Sequence, residues 1–197
     1  MNLSELRSTV RRRIRDRHAP YLWDDEEIDG NINEAEREAC VRALLIEDDS
    51  SSLTQVDVYT TEKRYKISDK IIDVISIEAA SSPNVPVIGW TLNESYLIFD
   101  RFPSADDTLT MRVYRMPVSD MVSDTDEPEI RSMHHDRMLD WAISLCYLVP
   151  DTETFDQSAS DRYAARFSAS FGDRESAQTL RNYRDKAPKV VASNGYF

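Results

Sequence analysis

The most continuous hydrophobic stretch runs from Met138 to Val149, MLDWAISLCYLV, where Asp140 is the one charged position. Pro128 and Pro150 bracket a segment long enough for about five helical turns. Ile130, His134, Met138, Trp141, Leu145 and Leu148 recur at spacings of three and four, which is the period of one helix face. Asp136, Asp140 and Ser144 recur at every fourth position and predict a narrow polar stripe. A helix with so little wet surface has to be covered on most sides. Each large apolar side chain it buries contributes roughly 1.5–3 kcal/mol. The pattern therefore predicts a central helix.

Leu3, Leu6, Val10 and Ile14 predict a first helix with Asn2 as its N-cap. Its other faces carry Arg7, Arg11, Arg12, Arg13, Arg15 and Arg17, either as a solvated basic face or as a docking face for an acidic partner or for phosphates. Pro20 breaks that helix. Asp24 then reads as the N-cap of a second helix, with Glu27 as its capping-box partner and Trp23 as a staple onto its first turn. Ile28, Ile32, Ala35, Ala39 and Ala43 carry it to about Ile46.

Beyond residue 52 the period changes. Val56–Thr60 and Leu109–Tyr114 alternate, and Tyr65–Ile67, Ile71–Ile77 and Tyr96–Phe99 are β-branched or aromatic runs. Glu62-Lys63, Ser81–Asn84, Asn93–Ser95 and Pro103–Asp107 read as turns. Five or six short antiparallel strands are expected. After Pro150, Phe155, Ala159, Tyr163, Phe167 and Phe171 predict a fourth helix stopped by Gly172. A short fifth helix is expected over Ser176–Arg184, and an extended tail after it. The predicted fold class is α+β and mainly helical: a four- to five-helix bundle (residues 1–52 and 118–185) with a small inserted antiparallel β subdomain (53–117) and a C-terminal arm (186–197).

At 197 residues the chain fits one domain, or one domain carrying an inserted subdomain. No apolar run approaches the ~20 residues needed to span a bilayer, and the first residues lack the apolar core of a secretory signal, so folding in the cytoplasm is expected. Cys40 and Cys146 lie in apolar helical patterns and read as buried free thiols. A formal charge of −12 argues against a protein that coats nucleic acid. The charge is unevenly placed: the first 23 residues hold six arginines against two acids, and Asp24–Glu38 hold eight acids against one arginine.

Catalytic chemistry finds little footing. His134, His135 and Asp136 are the nearest thing to a cluster, but adjacent helical side chains point about 100° apart and cannot easily share an ion. His134 is expected to be a helix-face residue with its polar tip satisfied. The four glycines are scattered, so no phosphate-cradling loop is present, and there is no nucleophile elbow. The acids of 24–27 and 124–129 lack the alternation of a calcium loop and are explained by capping and solubility. No enzymatic activity, cofactor or metal is expected.

The order of elements resembles that of phage head–tail adaptor (connector) proteins. The residues that carry the likeness are Leu22-Trp-Asp-Asp-Glu-Glu-Ile28, Asn31-Ile-Asn-Glu-Ala-Glu-Arg-Glu38, Val113–Pro117, Asp126–Ile130, His134-His135, Leu139–Ala142, Phe167 and Phe171-Gly172. The resemblance implies a structural virion protein at the head–tail junction, made in the host cytoplasm. It implies a closed ring of about a dozen copies between the portal and a downstream tail or nozzle protein. DNA would pass through the channel without sequence-specific binding, and no membrane would be involved. It further implies a C-terminal portal-binding arm carrying Lys186, Lys189, Val190, Val191, Tyr196 and Phe197. Arg7, Arg11, Arg12, Arg13 and Arg15 would then lie at a subunit or partner interface. The competing expectation is a nucleic-acid-binding accessory module built on the Arg-rich N-terminal helix.

Overall fold

Asn2 caps the first helix in both directions: its side chain accepts from the Glu5 N–H at 2.9 Å, and the Glu5 carboxylate accepts from the Asn2 N–H at 3.2 Å. This capping box opens α1 (Leu3–Ile14), whose Leu3, Leu6, Val10 and Ile14 are buried. The computed structural model describes residues 1–149 and 154–174, without the side chains of residues 83 and 84. They divide into two units, Met1–Leu45 with Pro117–Arg174, and Ile46–Met116. The predicted fifth helix and C-terminal arm lie outside the described residues.

In the first unit, α2 (Asp25–Ala43) starts at Asp24, whose carboxylate accepts from the Glu27 N–H at 2.7 Å. Ile28, Ile32, Ala35 and Ala39 are fully buried along it. The helix stops three residues short of expectation. Leu44 turns into the left-handed region (φ 51°) and donates its N–H to the Cys40 carbonyl, with no glycine to announce the stop.

The central segment is also shorter than predicted. A 3₁₀ turn (Ser132–His134) leads into α3 (His135–Cys146), a 12-residue helix. Its inward face is shifted from the predicted one: His135, Met138, Leu139, Ala142, Ile143 and Cys146 are buried, while Leu148 is exposed. Of the predicted wet stripe, Asp136 is exposed, but Asp140 and Ser144 are buried as well. Asp140 faces Arg13 and Arg166, and the Ser144 hydroxyl meets that of Ser160 at 2.9 Å. Polar residues that hold partners in neighbouring helices can lie inside, so polarity alone misplaced this face.

α4 (Gln157–Phe171) begins at Asp156, which accepts from the Ala159 N–H at 2.9 Å, and ends at Gly172 (φ 83°). It buries Ala159, Phe167 and Phe171. Phe155 lies before the helix and is exposed.

The second unit overturns the expectation of a mainly helical bundle with a small β insertion. Among the described residues there are four α-helices and eight strands, and the strands form two sheets, the larger curled into a half-barrel. Its strands are β1 (Ile46–Asp48), β2 (Gln55–Val58), β4 (Ile71–Ala79), β5 (Ser82–Pro86) and β8 (Asp107–Arg115). The second sheet holds β3 (Arg64–Lys66), β7 (Tyr96–Phe99) and β6 (Trp90–Asn93), in that order.

All pairings are antiparallel, and β8 is central to the larger sheet. On one side it pairs with β1 (Asp48↔Val113) and β2 (Val56↔Leu109), on the other with β4 (Ile77↔Met111). Residues of both sheets share one core that includes Val58, Ile77, Leu97, Phe99, Leu109 and Met111. The three unpredicted strands have physical reasons for being missed. β1 is three residues long inside a run that continues the apolar pattern of α2. β5 contains two prolines and lies at a sheet edge, where proline is tolerated. β6 is a short edge strand of the second sheet.

Phe167 is fully buried, with ring centroids 4.7 Å from Phe171 and 5.3 Å from Trp141. Phe167→Ala is expected to cost about 3–5 kcal/mol, the usual range for a lost core aromatic. Trp141 is only half-buried, so Trp141→Ala should cost less, about 1–3 kcal/mol. Urea titration followed by the helical dichroism signal measures both, and equal costs would contradict this placement of the two rings.

Candidate interaction surfaces

The arginines of α1 meet different fates. Arg7 donates from Nε and Nη2 to the two oxygens of Asp29 on α2, at 2.7 and 2.5 Å, and lies 3.0 Å from Asp124. This is the forked geometry that fits a guanidinium to a carboxylate. Arg11 is buried: Nη1 donates to Asp16 at 2.6 Å, and Nη2 to Asp25 at 2.6 Å and to the Trp23 carbonyl at 3.0 Å. Asp16 is 4% exposed, and its second oxygen accepts from the Leu22 N–H at 3.1 Å. Arg13 reaches α3, donating to Asp136 at 2.6 Å and to Asp140 at 3.2 Å. Burial raises the pKa of Asp140, while Arg166 and Arg13 oppose that rise. Arg12, Arg15 and Arg17 are exposed.

Past the C-terminal end of α1 the chain displays aromatic and apolar groups on a fixed frame. Trp23 is buried and its Nε1 donates to the Cys146 carbonyl at 3.0 Å, where α3 ends. Its ring meets the edge of Tyr147 at 6.1 Å, and Tyr147 stacks on Tyr163 of α4 at 6.1 Å. The Arg166 guanidinium lies 5.3 Å over Tyr163, and Arg162, Tyr163 and Arg166 line an open hollow of about 260 Å³. Around this frame Tyr21 is 51% exposed, Leu22 57% and Phe155 50%. Phe155 is held there because the next residue, Asp156, donates its N–H to the Tyr147 carbonyl at 3.1 Å.

At the other end of α1 lies an acidic loop, residues 117–131. Asn33 of α2 grips it through both amide atoms, donating to the Met121 carbonyl at 3.0 Å and accepting from its N–H at 2.9 Å. The first turn of α1 adds backbone bonds from Leu3 to Asp126 (2.8 Å) and from Ser4 to Asp124 (3.2 Å). Asp126 accepts from the Val122 and Ser123 N–H groups at 2.8 Å each. Arg37 holds Asp120 at 2.5 Å. On this tethered backbone Val122 is 84% exposed, with Val118, Asp120, Asp124 and Glu127 also exposed.

Glu36 of α2 is buried beneath the same loop, where its Oε1 accepts from the Ile130 N–H at 3.3 Å. Burial pushes its carboxyl up to about 7 against the pull of the Ile130 and Glu129 N–H groups, and the nearby Glu129 and Asp120 charges push the same way.

Of the two histidines, His135 is the inward one: its Nε2 lies 2.9 Å from the Ile130 carbonyl and its Nδ1 3.0 Å from the Met1 amino group. Burial lowers the pKa of His135. His134 sits 5.8 Å from the Phe171 ring. Cys40 and Cys146 are buried thiols outside any disulfide, and burial pushes the Cys146 thiol up to about 11. Among the described residues no group of three or more His, Cys, Asp or Glu could hold a metal ion, and no helix is long and apolar enough to cross a membrane. Lys186, Lys189, Val190, Val191, Tyr196 and Phe197 lie outside the described residues.

The sequence pattern missed Tyr21, Leu22, Val118, Val122, Arg162 and Arg166 as displayed groups. Nothing in the order of residues separates exposed Val122 from its buried neighbour Met121.

Exposed aliphatic and aromatic side chains on tethered backbone are groups that a partner surface can cover. The family model of the SU10 adaptor protein matches residues 1–192, and the chain belongs to that family of phage adaptor proteins. The family is one of structural virion components. A comparison with curated proteins gives no match.

Arg11→Ala leaves Asp16 buried without its partner and is expected to cost about 3–5 kcal/mol, whereas exposed Arg12→Ala should stay within about 0.5 kcal/mol. Denaturant titration of the two variants checks the contrast. Glu36 makes a distinct pH signature. Its folded pKa of about 7 lies above its ordinary value of 4.5, so the folded state holds the extra proton between these limits. Stability then falls as pH rises from 4.5 to 7, by roughly 3 kcal/mol at 1.36 kcal/mol per unit, and is flat above. Glu36→Gln keeps the acceptor oxygen and should remove that component of the slope, read as the difference between the two proteins in urea titrations at pH 5 and pH 8.

Proposed function

We propose that the protein is a multi-copy structural adaptor that forms a ring between the portal and the tail and extends the DNA channel. Membership of the phage adaptor family carries this reading. The charge of −12 fits it, since like charge keeps passing DNA from sticking to a channel wall. A nucleic-acid-binding role for the first helix has less to work with, because Arg7, Arg11 and Arg13 are engaged by the protein's own carboxylates. Arg12 and Arg15 are the members of the predicted interface set left facing solvent. The C-terminal arm, with Lys186, Lys189, Val190, Val191, Tyr196 and Phe197, is the proposed portal contact, either packed on it or added as a strand to a sheet edge.

Electron microscopy of the full chain mixed with portal particles tests the role: an added ring-shaped layer is expected, and bare portals would overturn it. Deleting residues 187–197 should leave the melting temperature nearly unchanged and abolish co-sedimentation with portals. In the same preparation, duplex DNA should show no binding at physiological salt. Tight, steeply salt-dependent binding lost on changing Arg12 and Arg15 would favour the nucleic-acid role instead.

A further inference from the structure

Glu36 is 2% exposed on the inward side of α2, and among the described residues no cation forms an ion pair with it. Its partners are backbone N–H groups of the 117–131 loop, that of Ile130 at 3.3 Å and that of Glu129. The loop also brings two carboxylates near it, Glu129 and Asp120. Arg37, its neighbour in sequence, turns instead to Asp120 and Glu34. From α3, His135 holds the other side of the same residue: its Nε2 donates to the Ile130 carbonyl at 2.9 Å, and its Nδ1 lies 3.0 Å from the Met1 amino group.

The loop is held in two parts. Residues 120–126 are tied by contacts that do not involve Glu36: Asn33 on Met121, Arg37 on Asp120, Arg7 on Asp124, and the Leu3 and Ser4 N–H groups on the Asp126 and Asp124 carbonyls. Residues 127–131 are bonded to α2 through Glu36. Pro128 has no N–H to give, so Glu129 and Ile130 supply those bonds, and Pro128 and Ile130 are buried.

We propose that Glu36 is a pH-operated latch for residues 127–131. As a neutral carboxyl it seats them on α2, and as a carboxylate it releases them, uncovering Ile130 while residues 120–126 stay in place. The reason is where an ionised Glu36 finds water. Its two N–H partners favour the charge, but burial outweighs them, and Glu129 and Asp120 repel it. Unfolding α2 would admit water only by exposing Ile28, Ile32, Ala35 and Ala39, whereas lifting residues 127–131 admits it by breaking a few bonds. His135 is not the trigger. A carbonyl only accepts, so Nε2 carries a proton in the neutral ring and in the charged one, and that bond persists in both.

Released, Glu36 is solvated and titrates near its ordinary 4.5; seated, it titrates near 7. Seating is therefore at full strength below pH 4.5, weakens about tenfold for each pH unit up to 7, and is constant above. None of this depends on the adaptor role.

Amide hydrogen exchange of the full chain, resolved by nuclear magnetic resonance between pH 5 and pH 8, tests the latch. The Ile130 amide is compared with the Met121 amide in the same sample, because the intrinsic acceleration of exchange with pH is common to both. From pH 5 to pH 8 the protection of Ile130 relative to Met121 is expected to fall by about tenfold or more, with the Ile32 amide of α2 keeping its protection. Glu36→Gln retains an acceptor oxygen and should hold the ratio constant. A constant ratio in the wild-type chain overturns the latch, whatever the variant does. Protection lost at Ile130, Met121 and Ile32 together also overturns it, since that is cooperative unfolding. A ratio that falls equally in a folded Glu36→Gln protein assigns the change to another group and overturns it too.

Discussion

A buried guanidinium organises the helical unit. Arg11 fixes three points of the chain at once: Asp16 just past its own helix, the Trp23 carbonyl, and Asp25 in the first turn of α2. Because the guanidinium is planar and its donors point in set directions, the three acceptors must take up a defined arrangement. The proline break after α1 thereby becomes a specified corner. Trp23 follows from it, seated so that its indole bonds the last carbonyl of α3. An ion pair this deep adds little net stability compared with apolar packing, but losing one member strands the other charge. Its contribution is to geometry.

α1 then serves as an axis with unlike ends. Its first-turn N–H groups meet carbonyls of the acidic loop, and its last turn carries arginines; both placements suit the helix dipole. Asn33 secures the loop to α2 as well, so the loop backbone is held from two helices. That explains how Val122 can be almost wholly exposed and yet fixed in position.

Where the sequence was legible, one periodicity or one cap decided the matter. The stripe Leu3–Leu6–Val10–Ile14, the cap at Asp24 and the stop at Gly172 all appear in the structure. The longer strands β4 and β8 were legible from alternation and β-branching. The failures arose where a tertiary partner overrode local pattern. Asp140 and Ser144 are polar, and each is buried because a residue distant in sequence satisfies it. Leu44 ends α2 in a conformation that its side chain does not advertise. β1 and β5 are strands because β8 and β4 offer them hydrogen bonds, not because three residues or a proline-rich stretch prefer to be extended. The candidate surfaces were the least legible of all, since exposure of a particular Leu or Val depends on what the rest of the chain fails to cover.

The acids of α2 extend this argument to charge. Read alone, the run from Asp24 to Glu38 suggests capping and solubility, and Asp24 does cap the helix. But Asp25 and Asp29 bind Arg11 and Arg7, and Glu38 holds Arg42 at 2.8 Å. Arg42 in turn donates to the Ser168 hydroxyl at 2.9 Å and lies 4.8 Å over Trp141 and 5.0 Å over Phe167. Carboxylates of α2 therefore position the arginines that join α2 to α1 and α4. The basic run in α1 and the acidic run in α2 largely cancel where the helices meet. Arg12, Arg15 and Arg17 remain exposed near one end of α1, and at the other end Arg37 and Arg7 hold Asp120 and Asp124 of the 117–131 loop. A net charge of −12 thus describes the chain as a whole and neither of those ends.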